Sequence, residues 1–248
     1  MRSVPVAGAI ILWLGRTDDL KNAFKSPRVL SMAALTAVLI SINWGIYVWA
    51  IAAERAVEGA LGYYINPLVN VVLGAVLLGE RFTKLQMAAV ACAVIAVCIL
   101  TFAAGGLPWV SLSLAFSFGI YGYLRKTLPI GPAQGFMLEV LLLSPLALLV
   151  AAWYTINGDG HFGTTGWSDT GLLLVAGVVT AVPLILYANG AKLLRYTTIG
   201  LLQYIAPTLI FVIAVFVFDE PFSTAHGVAF AFIWTGLALY TWSLFRKA

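Results

Sequence analysis

Side chains that could bind a solute are few in this chain, and two of them share a helical spacing. Asn66 and Asn70 are four residues apart with Pro67 between them, so both amides lie on one face of a helix. The proline lacks a backbone N–H, which frees the carbonyl of Tyr63 one turn earlier. The pattern predicts a polar stripe beside a helix kink. The stripe either lines a binding cavity or holds helices together by hydrogen bonds.

Other polar and aromatic side chains inside apolar stretches extend this prediction. Polar groups are costly in hydrocarbon and usually face the interior of a helix bundle. Amide and aromatic groups together favour a small amphipathic or aromatic solute. The predicted substrate-binding residues are Asn43, Trp44, Tyr47, Tyr63, Asn66, Asn70, Glu139, Tyr187, Gln203 and Tyr204, with helix kinks at Pro67 and Pro207.

Glu139 is the only acidic residue well inside a predicted membrane segment. A carboxylate in that position suggests a proton site or a contact for a cationic or hydroxylated solute. Alternatively, its side chain reaches the cytoplasmic boundary, since Pro132 lies only a few residues earlier. Both interpretations remain open.

The composition indicates which kind of structure holds these residues in place. Of the 248 residues, 62% are hydrophobic and 10% are charged, and the mean hydropathy is +0.98. A soluble domain carries about 25% charged residues. The apolar stretches are continuous and long enough to cross a bilayer as helices. We expect an all-α, polytopic membrane helix bundle with nine helices, at roughly 3–15, 30–52, 59–79, 85–103, 108–124, 134–153, 171–190, 198–218 and 225–244.

The basic residues predict the orientation. Of the 14 Lys and Arg residues, only Arg2 and Arg55 lie outside five segments that alternate along the chain. Because basic loops stay inside, these segments and the C-terminus are predicted to be cytoplasmic. The net charge of +4 therefore needs no nucleic acid partner. The five segments are 16–29, 80–84, 125–133, 191–197 and the C-terminal end.

The chain repeats itself after a shift of 140 residues, which aligns Tyr64-Ile65-Asn66-Pro67 with Tyr204-Ile205-Ala206-Pro207. We predict a first repeat of four helices over 1–105 and a second of five over 106–248. Equivalent loops are predicted on opposite sides, which is typical of an inverted repeat. A complete design would have two five-helix repeats, so we expect the first helix to be missing and the next to be clipped. A signal peptide over 1–15 is the alternative, with a poor cleavage site.

Five stretches closely resemble the RarD group of the EamA-like transporters, in the drug/metabolite transporter superfamily. They are Asn43-Trp44-Gly45, Leu61-Gly62-Tyr63-Tyr64-Ile65-Asn66-Pro67-Leu68-Val69-Asn70, Leu78-Gly79-Glu80-Arg81-Phe82, Leu114-Ala115-Phe116-Ser117-Phe118 and Gln203-Tyr204-Ile205-Ala206-Pro207-Thr208. The resemblance implies ten helices in two inverted units, in a bacterial inner membrane, and the export or uptake of small metabolites. RarD proteins are commonly called chloramphenicol-sensitive proteins, a name that does not settle the natural solute.

We therefore predict a secondary transporter whose two repeats rock around a central cavity. The lipid bilayer and a small, amphipathic or aromatic solute are its expected partners, and a proton or another ion is the candidate coupling species. No P-loop pattern is present, so ATP is not the expected energy source. We expect no cofactor, no metal and no enzymatic activity, because no mid-membrane nucleophile and base occur together. The alternatives are a scaffold protein that moves nothing and an inactive, truncated membrane protein.

Overall fold

The computed structural model describes residues 3–13, 15, 17–79, 83–104, 107–157, 167–194, 203, 205–219 and 222–245. This part of the chain is helical apart from short connections. The helices are α1 (Ser3–Trp13), α2 (Thr17–Phe24), α3 (Pro27–Ala52), α4 (Ala56–Leu78), α5 (Lys84–Ala104), α6 (Trp109–Thr127), α7 (Pro132–Ile156), α8 (Trp167–Leu193), α9 (Ile205–Phe216) and α10 (Thr224–Phe245).

A helix occurs at each of the nine predicted membrane segments, and the all-α membrane fold is confirmed. Five helical segments among the described residues are long and apolar enough to cross a bilayer. The α1 helix has 11 residues and is too short for that. The five segments are Pro27–Ala52, Ala56–Leu77, Lys84–Ala103, Pro132–Ile156 and Val175–Leu193.

Three predicted loops were wrong in extent, because each contains helical residues. The segment 16–29 contains α2, whose first turn carries Asp18 and Asp19 and is therefore stabilised by the helix dipole. The predicted loop 125–133 begins too early, because α6 continues to Thr127. Likewise, α8 continues to Leu193 and includes Lys192. Basic side chains that were assigned to loops thus lie in the last turns of helices.

The α4 helix contains a proline and ends at a glycine. Pro67 lies inside this helix, as the sequence predicted. The helix ends at Gly79, which has a positive φ of 67° and donates its N–H to the carbonyl of Ala75 at 3.1 Å. Glycine adopts that left-handed conformation at little cost. The other predicted kink residue, Pro207, falls within α9.

Contacts divide the chain into two compact units. The first comprises Met1–Val38 and Leu124–Leu193. In this unit α1 packs on α7 and α8, and its core holds Ala7, Ile11, Phe136 and Met137. A second cluster joins α2 and the start of α3 to Leu128 and Leu138.

The second unit comprises Leu39–Tyr123 and Leu194–Ala248. Here α10 packs along α5, and α9 packs along α4. Tyr64 meets Phe230 edge to face, with ring centroids 5.2 Å apart. Each unit combines segments from both predicted repeats, so the repeat boundary at 105/106 stays a prediction.

Candidate solute-binding site

Asn43 joins three helices of the second unit through one buried amide. Its Nδ2 donates to the Leu114 carbonyl at 3.1 Å and to Ser117 Oγ at 2.9 Å, both on α6. Its Oδ1 accepts a hydrogen bond of 3.0 Å from the Tyr63 hydroxyl of α4. Both the nitrogen and the oxygen of this side chain have partners, so it fixes α3 and α4 against α6.

Asn66 and Asn70 continue the polar face of α4. Asn66 Nδ2 donates to the Ala115 carbonyl of α6 at 2.8 Å. Asn70 Nδ2 lies 3.2 Å from both Asn66 Oδ1 and Gln203 Oε1. The predicted stripe is thus a connected chain of amides that runs from α6 to Gln203.

Asn70 differs from the other two asparagines in one respect. It is completely buried, yet its Oδ1 accepts no hydrogen bond from the described residues. This oxygen faces Gly119 of α6, where an added Cβ would lie 3.2 Å from it. A buried acceptor without a donor costs free energy that a bound donor would recover.

Aromatic rings border the amides. Tyr63 contacts Tyr47 and Phe118 edge to face, with centroid distances of 5.7 and 6.1 Å. Trp44 is one residue from Asn43 and points to a different side of α3, where it is 46% exposed. The structure therefore brings Tyr47 and Tyr63 to the amide chain but leaves Trp44 outside it.

Glu139 lies in the first unit, on α7, and is buried beside a cation. Arg125 Nη1 is 3.4 Å from Glu139 Oε1, with side-chain exposures of 1% and 3%. Arg125 Nη2 also donates to the Pro132 carbonyl at 2.8 Å. Gly135 makes room for this arrangement, because a Cβ there would overlap Arg125 Nη1. The carboxylate therefore faces a buried guanidinium rather than reaching the solvent.

Sequence reasoning missed Arg125 as a site residue, because the basic-loop pattern assigned it to the segment 125–133. A charged group buried in a membrane protein requires a partner of opposite charge. The solitary carboxylate of Glu139 was therefore a usable signal. The nearest basic residue in sequence, Lys126, instead donates to the Ala191 carbonyl at 3.0 Å.

The remaining predicted residues are dispersed. Tyr187 lies on α8 in the first unit and is partly buried. Gln203 belongs to the amide chain described above, whereas Tyr204 lies outside the described residues. Within the described ranges, no three His, Cys, Asp or Glu side chains are grouped so as to hold a metal ion.

Comparisons with known proteins identify the family. A model described as the EamA-like transporter family matches residues 3–102. Protein RarD of Streptomyces exfoliatus is 37% identical over 246 residues, which cover 99% of this chain and 78% of that protein. The uncharacterized transporter YojE of Bacillus subtilis (strain 168) is 42% identical over 234 residues, covering 93% and 76% respectively. The chain belongs to the RarD group of the EamA-like transporter family.

Membership in the RarD group confirms the resemblance seen in the sequence motifs. It makes the chain a multi-pass transporter of the bacterial inner membrane.

One solved crystal structure resembles this chain at 20% sequence identity. The match covers 99% of this chain and 85% of the chain in that structure, with a TM-score of 0.61. That likeness supports the helical fold described above.

Proposed function

We propose that this RarD-group chain carries a small amphipathic solute across the inner membrane, with the amide chain of α4 at the solute site. Asn70 is the observation that carries the proposal. Its buried amide bridges Asn66 and Gln203 at 3.2 Å, while its Oδ1 accepts no hydrogen bond from the described residues. A solute hydroxyl or N–H would satisfy this oxygen.

The surroundings of Asn70 favour a particular solute chemistry. Amide groups offer both donors and acceptors. About two turns before Asn70 on α4, Tyr63 bonds the Asn43 amide. The ring of Tyr63 contacts Tyr47 and Phe118. Interhelical hydrogen bonds in membranes contribute only about 0.6 kcal/mol on average. A solute could therefore replace a hydrogen bond of Asn70 with only a small net change in free energy. An aromatic or amphipathic molecule with hydroxyl or amide groups fits this site best.

Alternating access is the proposed transport cycle, with the two sequence repeats rocking against each other. The shift that aligns Pro67 with Pro207 supports corresponding kinks in both repeats. Glu139 is the proposed coupling group, because protonation would release Arg125 from its ion pair. The C-terminus is proposed to be cytoplasmic, as the basic residues predict.

The experiment combines ligand screening with a flux measurement. The purified full chain is screened for thermal stabilisation by amphipathic solutes, with chloramphenicol as the first compound. Stabilising solutes are then tested for counterflow in proteoliposomes. Asn70→Leu should abolish counterflow while the protein remains folded and inserted.

Thr235→Val is the matched control, because Thr235 is exposed and its hydroxyl bonds the Ala231 carbonyl within α10. This variant should retain wild-type flux. Full flux in Asn70→Leu would refute the site assignment. Specific stabilisation without counterflow in the wild type would instead favour a binding or scaffold protein.

A further inference from the structure

A groove of about 520 Å³ lies in the first unit. It is formed by α2, the link to α3, the connection between α6 and α7, and the end of α8. Its polar lining includes Asp19, Asn22, Ser26 and Lys192. These segments are the ones that the basic-residue pattern places on the cytoplasmic side. The groove is therefore expected at the boundary between membrane and cytoplasm.

The lining of the groove includes the cationic side chain of Lys192. Lys192 Nζ donates to the Leu128 carbonyl at 2.6 Å, which uses one of its three hydrogens. Arg125 and Lys126 lie close enough for their charges to act on Lys192. Arg125 is balanced by Glu139, but the described hydrogen bond of Lys192 goes to a neutral acceptor. A bound anion at Lys192 would reduce the mutual repulsion of these cations.

The lining of the groove also includes a carboxylate, that of Asp19. Asp19 lies in the first turn of α2 and is exposed. A simple anion would be attracted by Lys192 and repelled by Asp19, and a simple cation would meet the reverse. A ligand that carries both a phosphate and an ammonium group complements both charges. Asn22 and Ser26 add neutral hydrogen-bonding groups to the lining of the groove.

We propose that this groove binds the headgroup of a phospholipid that carries a phosphate and a primary ammonium group. Its predicted position at the membrane boundary favours a lipid over a dissolved ion. Phe24 of α2 follows Asn22 in the sequence by two residues and is 46% exposed. Amphipathic helices that lie in the membrane interface carry Phe, Leu or Trp on their apolar face. The phosphate contacts Lys192, and the ammonium group contacts Asp19.

The test uses the detergent-purified full chain and short-chain lipids. Thermal unfolding is followed with dihexanoyl phosphatidylethanolamine, phosphatidylcholine and phosphatidylglycerol, and with soluble phosphoethanolamine. Phosphatidylethanolamine should bind about tenfold more tightly than phosphatidylcholine, because a quaternary ammonium cannot donate a hydrogen bond to Asp19. Phosphatidylglycerol lacks the ammonium group and should also bind more weakly.

Variants separate the two contacts. Asp19→Asn should remove the preference for phosphatidylethanolamine while phosphate-dependent binding persists. Lys192→Gln should weaken binding of all three lipids. Asp18→Asn and Lys21→Gln are matched controls, because this exposed pair on α2 bonds at 3.0 Å and does not line the groove. Both controls should bind like the wild type.

Three results would overturn the proposal. The first is equal binding of phosphatidylethanolamine and phosphatidylcholine by the wild type. The second is an unchanged lipid preference in Asp19→Asn. This result is sufficient by itself, so the proposal can still be refuted if Lys192→Gln fails to fold. The third is binding of soluble phosphoethanolamine as tight as that of the lipid, which would assign the groove to a dissolved solute.

Discussion

Asn70 of α4 donates a hydrogen bond of 3.2 Å to Gln203, although 133 positions separate the two residues in the sequence. Asn70 lies in the first predicted repeat and Gln203 in the second. The repeat shift aligns Gln203 with Tyr63, which itself bonds Asn43. Equivalent positions in the two sequence halves thus each form a side-chain hydrogen bond with an asparagine, Tyr63 with Asn43 and Gln203 with Asn70.

A double-mutant cycle on Asn70→Ala and Gln203→Ala measures this link. We expect a coupling free energy of about 0.6 kcal/mol, and at most about 1.7, the range found for interhelical hydrogen bonds in a membrane. Equilibrium unfolding in mixed micelles provides the measurement. Additivity of the two single effects within about 0.3 kcal/mol would show that the two side chains do not interact.

Gly62→Ala tests the close approach of α4 and α6. A Cβ at this position would lie 2.7 Å from the Ser111 carbonyl oxygen and 3.0 Å from Leu114 Cβ. Since a backbone atom cannot move aside cheaply, we expect a loss of about 1–3 kcal/mol in the free energy of unfolding. Gly45→Ala is the control, because nothing lies within 4 Å of its added Cβ. It should be neutral or stabilising, and equal effects at both positions would contradict the packing described.

Glu139→Gln tests the buried ion pair. It leaves the guanidinium of Arg125 without its carboxylate, and we expect a loss of about 3–5 kcal/mol in the free energy of unfolding. The double variant Arg125→Met/Glu139→Leu should recover most of that loss, because no buried charge remains. Asp18→Asn, at an exposed ion pair, should change the unfolding temperature little. If Glu139→Gln is as stable as the wild type, the pair does not stabilise the fold.

Cysteine labelling tests the orientation. In a background with Cys92 and Cys98 replaced by alanine, Ala53→Cys and Lys25→Cys each introduce one exposed thiol. A membrane-impermeant maleimide should label Ala53→Cys in intact spheroplasts and Lys25→Cys only after lysis. The reverse pattern would place the C-terminus on the outside.

The helices and the amide stripe were predictable because both depend on local spacing. Continuous apolar stretches indicate membrane helices whatever their partners, and residues four apart share a helix face. Asn66 and Asn70 were found in this way. Their donation to α6 and to Gln203 was not, since it depends on which helices pack together.

Arg125 and Trp44 show two limits of sequence reasoning. The basic-loop rule assigns every arginine to a surface loop and takes no account of a buried partner such as Glu139. Trp44 was predicted to line the site because it is an aromatic residue inside an apolar stretch, near Asn43 and Tyr47. Adjacent residues on a helix point about 100° apart, so one side chain is buried while the other is exposed.

Asn43 and Asn66 both reach α6 through main-chain carbonyls, those of Leu114 and Ala115. Every amino acid supplies that oxygen, so replacements at positions 114 and 115 that fit the available space keep both attachments. The α6 helix can therefore accumulate mutations near the amides without detaching from its neighbours. Relatives that prefer different solutes could evolve along this helix one substitution at a time, each intermediate still assembling in the membrane.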